Sequence, residues 1–230
     1  MKFFSVDGKI YRFISRFWDL IKLNFLWLVC SLPIVTIGVS TTAAFSVMLK
    51  IIDDHEGYVA RTFFKEFKAN FKQGLVIGII SIIFIGAVVC DFLLSKSSVG
   101  FAILGVLSGF MFSLALVYTY PLLARYENTV INSIKNSLKI SFKYFGRTFF
   151  MIFICVVEAI IFSYPNFITL FVGILIGPMC IVMTIAANAL IFFREIEKSG
   201  GAIVRNEDNE LETDDMTDSE EEKETENEKN

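Results

Sequence analysis

The chain has 230 residues, a net charge of -3, a mean hydropathy of +0.60 and 54% hydrophobic residues, with 25 Phe. One soluble core of this size cannot hide that much apolar surface, so the excess must face lipid and an ordinary water-soluble domain is excluded. The charge is unevenly placed: residues 1–205 hold 19 Lys and Arg against 11 Asp and Glu, whereas residues 206–230 hold 2 against 13.

The N-terminal stretch sets Lys9, Arg12 and Arg16 beside Ile10, Phe13, Phe17 and Ile21 at helical spacing. Leu23 to Leu49 follows with Cys30 as its one ionisable side chain, and within it lies "NFLWLVCSLPIVTIGVSTTA", Asn24 to Ala43. Pro33 removes a backbone donor, Gly38 tolerates unusual backbone angles, and Ser40, Thr41 and Thr42 are suited to capping a new helix. Two readings stand open. Either the run enters and returns as a hairpin of two halves, each about 13 residues and roughly 20 Å long, or it is one kinked span. A hairpin would have to line an interior cavity, because broken backbone at membrane depth needs shielding. The run starts too late and is too long for a cleaved signal peptide.

His55 sits in "DDHE", Asp53 to Glu56, four adjacent residues that do not converge on one helical face, so no metal site is expected. Beyond it Arg61, Lys65, Lys68 and Lys72 form a stripe beside Phe63, Phe64, Phe67 and Phe71. Lys135, Lys139, Lys143 and Arg147 repeat the stripe beside Ile134, Leu138, Phe142 and Phe145. Such helices suit a bilayer surface, with rings in the acyl boundary and cations among anionic headgroups, or a docking face for a partner. "FKANFK" at 67–72 and "LKISFK" at 138–143 stand 71 residues apart, each ahead of two apolar segments, which suggests a parallel repeat.

Leu75–Leu94, Val99–Leu123, Phe149–Tyr164 and Phe167–Phe193 complete the apolar segments. The expected fold is therefore all-α: a polytopic helical membrane protein of about five apolar segments, six if the first is a hairpin, with juxtamembrane basic amphipathic helices. Gly74 with Gly78, Gly105 with Gly109, and Gly173 with Gly177 are G-x-x-x-G pairs that serve packing within the chain or a homo-oligomer interface. Gly177-Pro178 should kink or break the last span and strip donors from carbonyls around Ile174. Glu158, midway along the fourth segment, and Asn188 make a candidate intramembrane polar site; an ionised carboxylate there costs a few kcal/mol unless paired, protonated or hydrated. Asp91 falls near a segment end. Cys30, Cys90, Cys155 and Cys180 lie in apolar segments without C-x-x-C spacing and read as small packed hydrophobes. No catalytic or P-loop motif is present, so no enzyme and no cofactor are expected, and the basic stripes lack the context of a nucleic-acid reader. Residues 199–230 read as an acidic, disordered cytoplasmic tail attached to a membrane domain of residues 1–198.

Loop charge sets the expected orientation. The N-terminus and the 50–74 and 124–148 connections are rich in Lys and Arg, while the links near 95–98 and 163–166 hold only Lys96, so the three basic segments and the C-terminus are assigned to the cytoplasm.

Asn24, Trp27, Ser31-Leu32-Pro33, Thr36, Gly38 and Ser40-Thr41, followed by a Phe-rich basic helix and paired hairpins, resemble the YesL family of bacterial integral membrane proteins, a domain of unknown function. The resemblance covers about residues 1–198; Val39 stands where a smaller residue is usual, and the acidic tail is an addition. It implies a bacterial cytoplasmic membrane location and genomic neighbourhoods with ABC-type carbohydrate uptake systems, hence sugar-transporter subunits as partners. It carries no catalytic residues. The alternative function is a non-transporting scaffold or regulator that recruits a cytosolic protein.

Overall fold

A computed structural model describes residues 9–53, 58–94, 96, 98–126, 128–162 and 166–198; His55 and the acidic tail lie outside them. All regular structure among the described residues is helical. Five stretches are long and apolar enough to cross a membrane: Ile34–Ile52, Phe71–Leu94, Val99–Arg125, Phe145–Phe162 and Thr169–Glu195. Their outward faces carry exposed Ile83, Ile85, Phe153, Ile160 and Phe171, as hydrocarbon surroundings require.

The first apolar run divides. Helix α1 (Lys9–Cys30) stops where Pro33, with extended backbone, begins a 3-10 turn (Ile34–Thr36), and α2 (Ile37–Ile52) follows. Thr36 Oγ1 lies 2.7 Å from both Cys30 O and Pro33 O; Pro33 O already receives Thr36 N at 2.9 Å, so the hydroxyl supplies Cys30 O, which the break leaves without a helical donor. Across the break, Trp27 Nε1 donates to Thr41 Oγ1 at 3.1 Å. Fourteen residues of unbroken helix would hold those two positions about 21 Å apart, so the chain folds back and a single kinked span is not what forms. The expected caps also differ: Thr36 occupies the N-cap without a side-chain bond, while Thr41 and Thr42 donate to Ile37 O and Gly38 O inside the helix.

Helix α2 is the hub. Of its most apolar stretch 61% is buried, against 11% for Val99–Arg125 and for Phe145–Phe162, so the other spans stand around it. Its side chains there are small: a β-carbon added to Gly38 would stand 2.7 Å from Gly78 N, and one on Gly74 would stand 2.7 Å from Val39 Cα. Glycine on both helices is what allows α2 and α4 (Phe71–Leu94) to cross backbone to backbone. The other two glycine pairs pack within the chain as well, Gly105 and Gly109 on α4, and Gly173 and Gly177 on Phe162.

Between α2 and α4 runs α3 (Val59–Ala69), which packs on α1 and α2. After α4 the chain returns through α5 (Val99–Leu116) and α6 (Thr119–Arg125), then α7 (Val130–Lys143), α8 (Phe145–Phe162) and α9 (Phe167–Lys198). A short basic helix, a single non-helical residue and two long helices thus occur twice in order, with Asn70 and Tyr144 as the joints. One core gathers Leu23, Phe45, Met48, Phe63 and Met179; a second gathers Tyr118, Leu122, Met151 and Phe192, and α9 contributes to both.

Candidate functional site

Three prolines position the polar groups: Pro33 and Pro121 go with the breaks between α1 and α2 and between α5 and α6, whereas α9 runs through Pro178 as one helix, Phe167–Lys198, so a break of the last span does not form. In α9, Pro178 has no N–H for Ile174 O and its ring disturbs the turn before it. Asn24 replaces the missing donor: its Nδ2 lies 2.9 Å from Ile174 O and 2.7 Å from Leu175 O. Asn24 is 1% exposed, and its Oδ1 is buried without a hydrogen bond. The first segment is therefore tied to the last through the one residue type able to give two hydrogens from a short, uncharged side chain. Residues 20–92 match the family model described as a protein of unknown function, DUF624. The matched stretch takes in α1 from Leu20, all of α2 and α3, and α4 to Phe92; it contains the Asn24 to Thr41 pattern and the Phe-rich basic helix of the YesL resemblance, and ends before the later hairpins. No curated protein and no solved structure matched the chain.

Within the matched residues, Pro33 and Thr36 make the break, Gly38 makes the crossing and Thr41 receives Trp27. Ser40 is fully buried and its Oγ lacks a partner. Trp27 and Thr41 border a cavity of about 490 Å³ that α5, α8 and α9 complete, as a hairpin lining an interior space requires. Glu158 is not among its lining residues. Its Oε1 accepts from Thr184 Oγ1 at 2.9 Å, and its buried Oε2 is without a hydrogen bond. Asn188 does not reach the carboxylate; its Nδ2 donates to Thr184 O at 2.8 Å. The partner of Glu158, which is on α8, is thus Thr184 of α9, four residues before Asn188 and not singled out from sequence. Asp91 Oδ2 accepts from Ser108 Oγ at 3.5 Å. No group of three or more metal-ligating side chains occurs among the described residues, and the four cysteines are free thiols, with Cys90 exposed rather than packed.

The charged groups collect elsewhere. Asp53, just past α2, meets Arg125 Nη1 at 3.2 Å through Oδ2 and Arg194 Nη2 through Oδ1. Burial pushes the Asp53 carboxyl up, and the hydrogen bonds and charges of Arg194 and Arg125 more than offset this, leaving it below its ordinary value. Arg125 also lies 5.8 Å from the ring centres of Tyr126 and Phe193. This clasp joins the ends of α2, α6 and α9. Lys50 Nζ binds Glu66 Oε1 at 2.7 Å nearby in the chain, and Glu66, Asn70, Gln73, Arg125, Asn128 and Thr129 border a polar groove of about 470 Å³.

Arg61, Lys65, Lys68 and Lys72 are exposed, as are Lys135, Lys139, Lys143 and Arg147. Their aromatic companions divide: Phe63 is buried in the protein core and Phe67 packs against it, whereas Phe64, Phe71, Phe142 and Phe145 remain exposed. The buried face of α7 was missed. Ser133, Ser137 and Ser141, one turn apart, are buried there with Ile140. Ser137 Oγ accepts from Tyr118 N at 3.2 Å, and Ser137 and Ser141 donate to Leu114 O at 3.3 and 2.8 Å. They repair the break between α5 and α6 ahead of Pro121. A serine every fourth residue, beside a proline in the preceding segment, was the available signal.

Proposed function

We propose that this chain is a multi-pass protein of the bacterial cytoplasmic membrane, serving ABC-type carbohydrate uptake as an accessory component that docks through the end bearing Asp53, Arg125 and Arg194. The carbohydrate assignment is drawn from the family resemblance. The accessory role, rather than conduction of solute, is supported by the cavity beside Trp27: its lining is overwhelmingly apolar, whereas a sugar entering it would lose water without gaining hydrogen-bond partners. Retention of Lys and Arg on the inner side orients the basic segments and both termini toward the cytoplasm, and the fold-back at residues 31–36 is what such a parity needs. On this reading the exposed cations of α3 and α7, with Lys72 at the start of α4 and Arg147 at the start of α8, meet anionic headgroups, and the polar groove beside Arg125 is open to a partner.

Copurification from native membranes under mild detergent tests this directly. Recovery of a sugar-transport permease or ATPase supports the proposal, and its absence from every preparation contradicts it. A second reading, a scaffold or regulator that recruits a cytosolic protein, is favoured by the 13 acidic residues of 206–230. A partner lost when 206–230 is deleted would decide for that reading.

A further inference from the structure

The cavity bordered by Trp27 poses a question that neither docking nor the clasp answers: what fills it. Its walls come from six helices, with Trp27 from α1, Phe45 from α2, Phe112 from α5, Tyr120 from α6, Ala159 from α8 and Pro178 from α9. Four of the residues around it carry polar side-chain hydrogens, and all four are engaged within the protein. Trp27 Nε1 donates to Thr41, Thr41 Oγ1 donates to Ile37 O at 2.7 Å, Ser113 Oγ donates to Gly109 O at 2.9 Å, and Tyr120 OH pairs with Ser81 Oγ at 3.0 Å. Water is a poor tenant, because a buried water needs two to four polar partners and these are already taken.

The surroundings supply a better one. The spans face hydrocarbon, and Ala159 and Val156, which stand on the cavity wall, are themselves exposed on the outer surface of α8. Where α5 and α8 meet, Phe110 lies edge-on to Phe145 and Phe149, with ring centres 6.3 Å apart in both pairs. Farther along α8 the wall passes from Ile152 to Ala159, so the cavity communicates with the lipid side of the helix. The cavity, of about 490 Å³, is open on one side, so what surrounds the spans can enter it. A single flexible hydrocarbon chain is thin enough to thread it.

We infer that the cavity is a binding site for one acyl chain of a bilayer phospholipid, held by apolar contact beneath the fold-back and against Pro178. The site has a built-in reporter, since Trp27 borders it and Trp18 is the one other tryptophan in the chain. Full-length protein carrying Trp18→Phe is reconstituted into phosphatidylcholine vesicles with acyl chains brominated near mid-chain, and its emission is compared with that in unbrominated vesicles. The expected result is at least twofold quenching of Trp27, most of which disappears when Cys155→Phe or Ala159→Phe fills the space. Absence of quenching, or equal quenching in the filled variants, would overturn the site, because Trp27 would then sense only bulk lipid or none. Should the phenylalanine variants fail to fold, native mass measurement of unmodified protein and of the milder Ala159→Leu decides. One diacyl phospholipid per chain, retained less by Ala159→Leu, supports the inference; an isoprenoid, a lipid-free pair of chains, or equal retention by both proteins contradicts it.

Discussion

Pro178 deprives Ile174 of a donor, and Asn24 returns one from a different helix. Asn24→Asp keeps the shape while replacing the donating nitrogen by an acceptor that faces two carbonyl oxygens. Interhelical hydrogen bonds within membranes contribute about 0.5–2 kcal/mol, and opposed acceptors add repulsion, so unfolding in detergent should show a loss at the upper end of that range or beyond. Asn24→Ser, which retains one shorter donor, should lose less. Glycine positions make a sharper contrast. Gly38→Ala pushes a methyl group into the backbone of Gly74 and Gly78, which no rotamer change relieves, and should cost about 1–3 kcal/mol. Gly86→Ala has open space within 4 Å and should be neutral, or up to about 1 kcal/mol stabilising through helix propensity. Equal thermal shifts for the two variants would contradict the close crossing. Both halves of the Asn24–Pro178 contact stand out in the sequence taken singly, as a polar residue in an apolar run and a proline in a span. Their pairing does not, because about 150 residues intervene and local pattern carries no information about which distant carbonyl a side chain will meet.

At the level of helices, the spans after the first were legible to within a few residues, because an apolar run of about 20 residues has few other destinations than the bilayer. What stayed illegible was which side of a polar helix is buried. The lysine stripe of α7 is conspicuous, yet the packing face is its serines, whose role depends on the break in α5–α6 that they repair. Likewise Phe63 turned inward although its neighbours Phe64 and Phe71 did not. The exposed cations of α3 and the start of α4 can be tested separately: changing Lys65, Lys68 and Lys72 to Gln in the 58–73 peptide should weaken binding to anionic vesicles by about 3 kcal/mol, roughly a hundredfold, at about 1 kcal/mol per cation. Unchanged partitioning would reject the headgroup assignment. The clasp links three helix ends, so Asp53→Asn should lower stability by about 1–3 kcal/mol in detergent at neutral pH. Asp53 has a depressed folded-state value, so its contribution is fully present above the ordinary carboxylate range and is lost as pH falls through that lower value. The stability gap between the original protein and Asp53→Asn should therefore close in acid; a gap that widens on acidification would contradict the clasp.

For the whole molecule, one arrangement organises the rest: the opening segment doubles back, tucks α2 into the centre of the bundle, and brings the ends of α2, α6 and α9 to a common charged surface. Composition already required a membrane, and the expectation from loop charge was that the N-terminus and the 50–74 connection share one side. Whether the run at 23–49 complies was undecidable from sequence, since Pro33 and Gly38 suit a kink as well as a return; the hydrogen bond from Trp27 to Thr41 is the feature that separates them. Cysteine accessibility in intact cells measures the resulting sidedness. In a background lacking the four native cysteines, Ser5→Cys, Tyr58→Cys and Ser98→Cys are each exposed to a membrane-impermeant thiol reagent added from outside. Ser98→Cys should label, whereas Ser5→Cys and Tyr58→Cys should label only after the membrane is opened. Labelling of either of those two in sealed cells would contradict the shared cytoplasmic side of both ends of the opening segment.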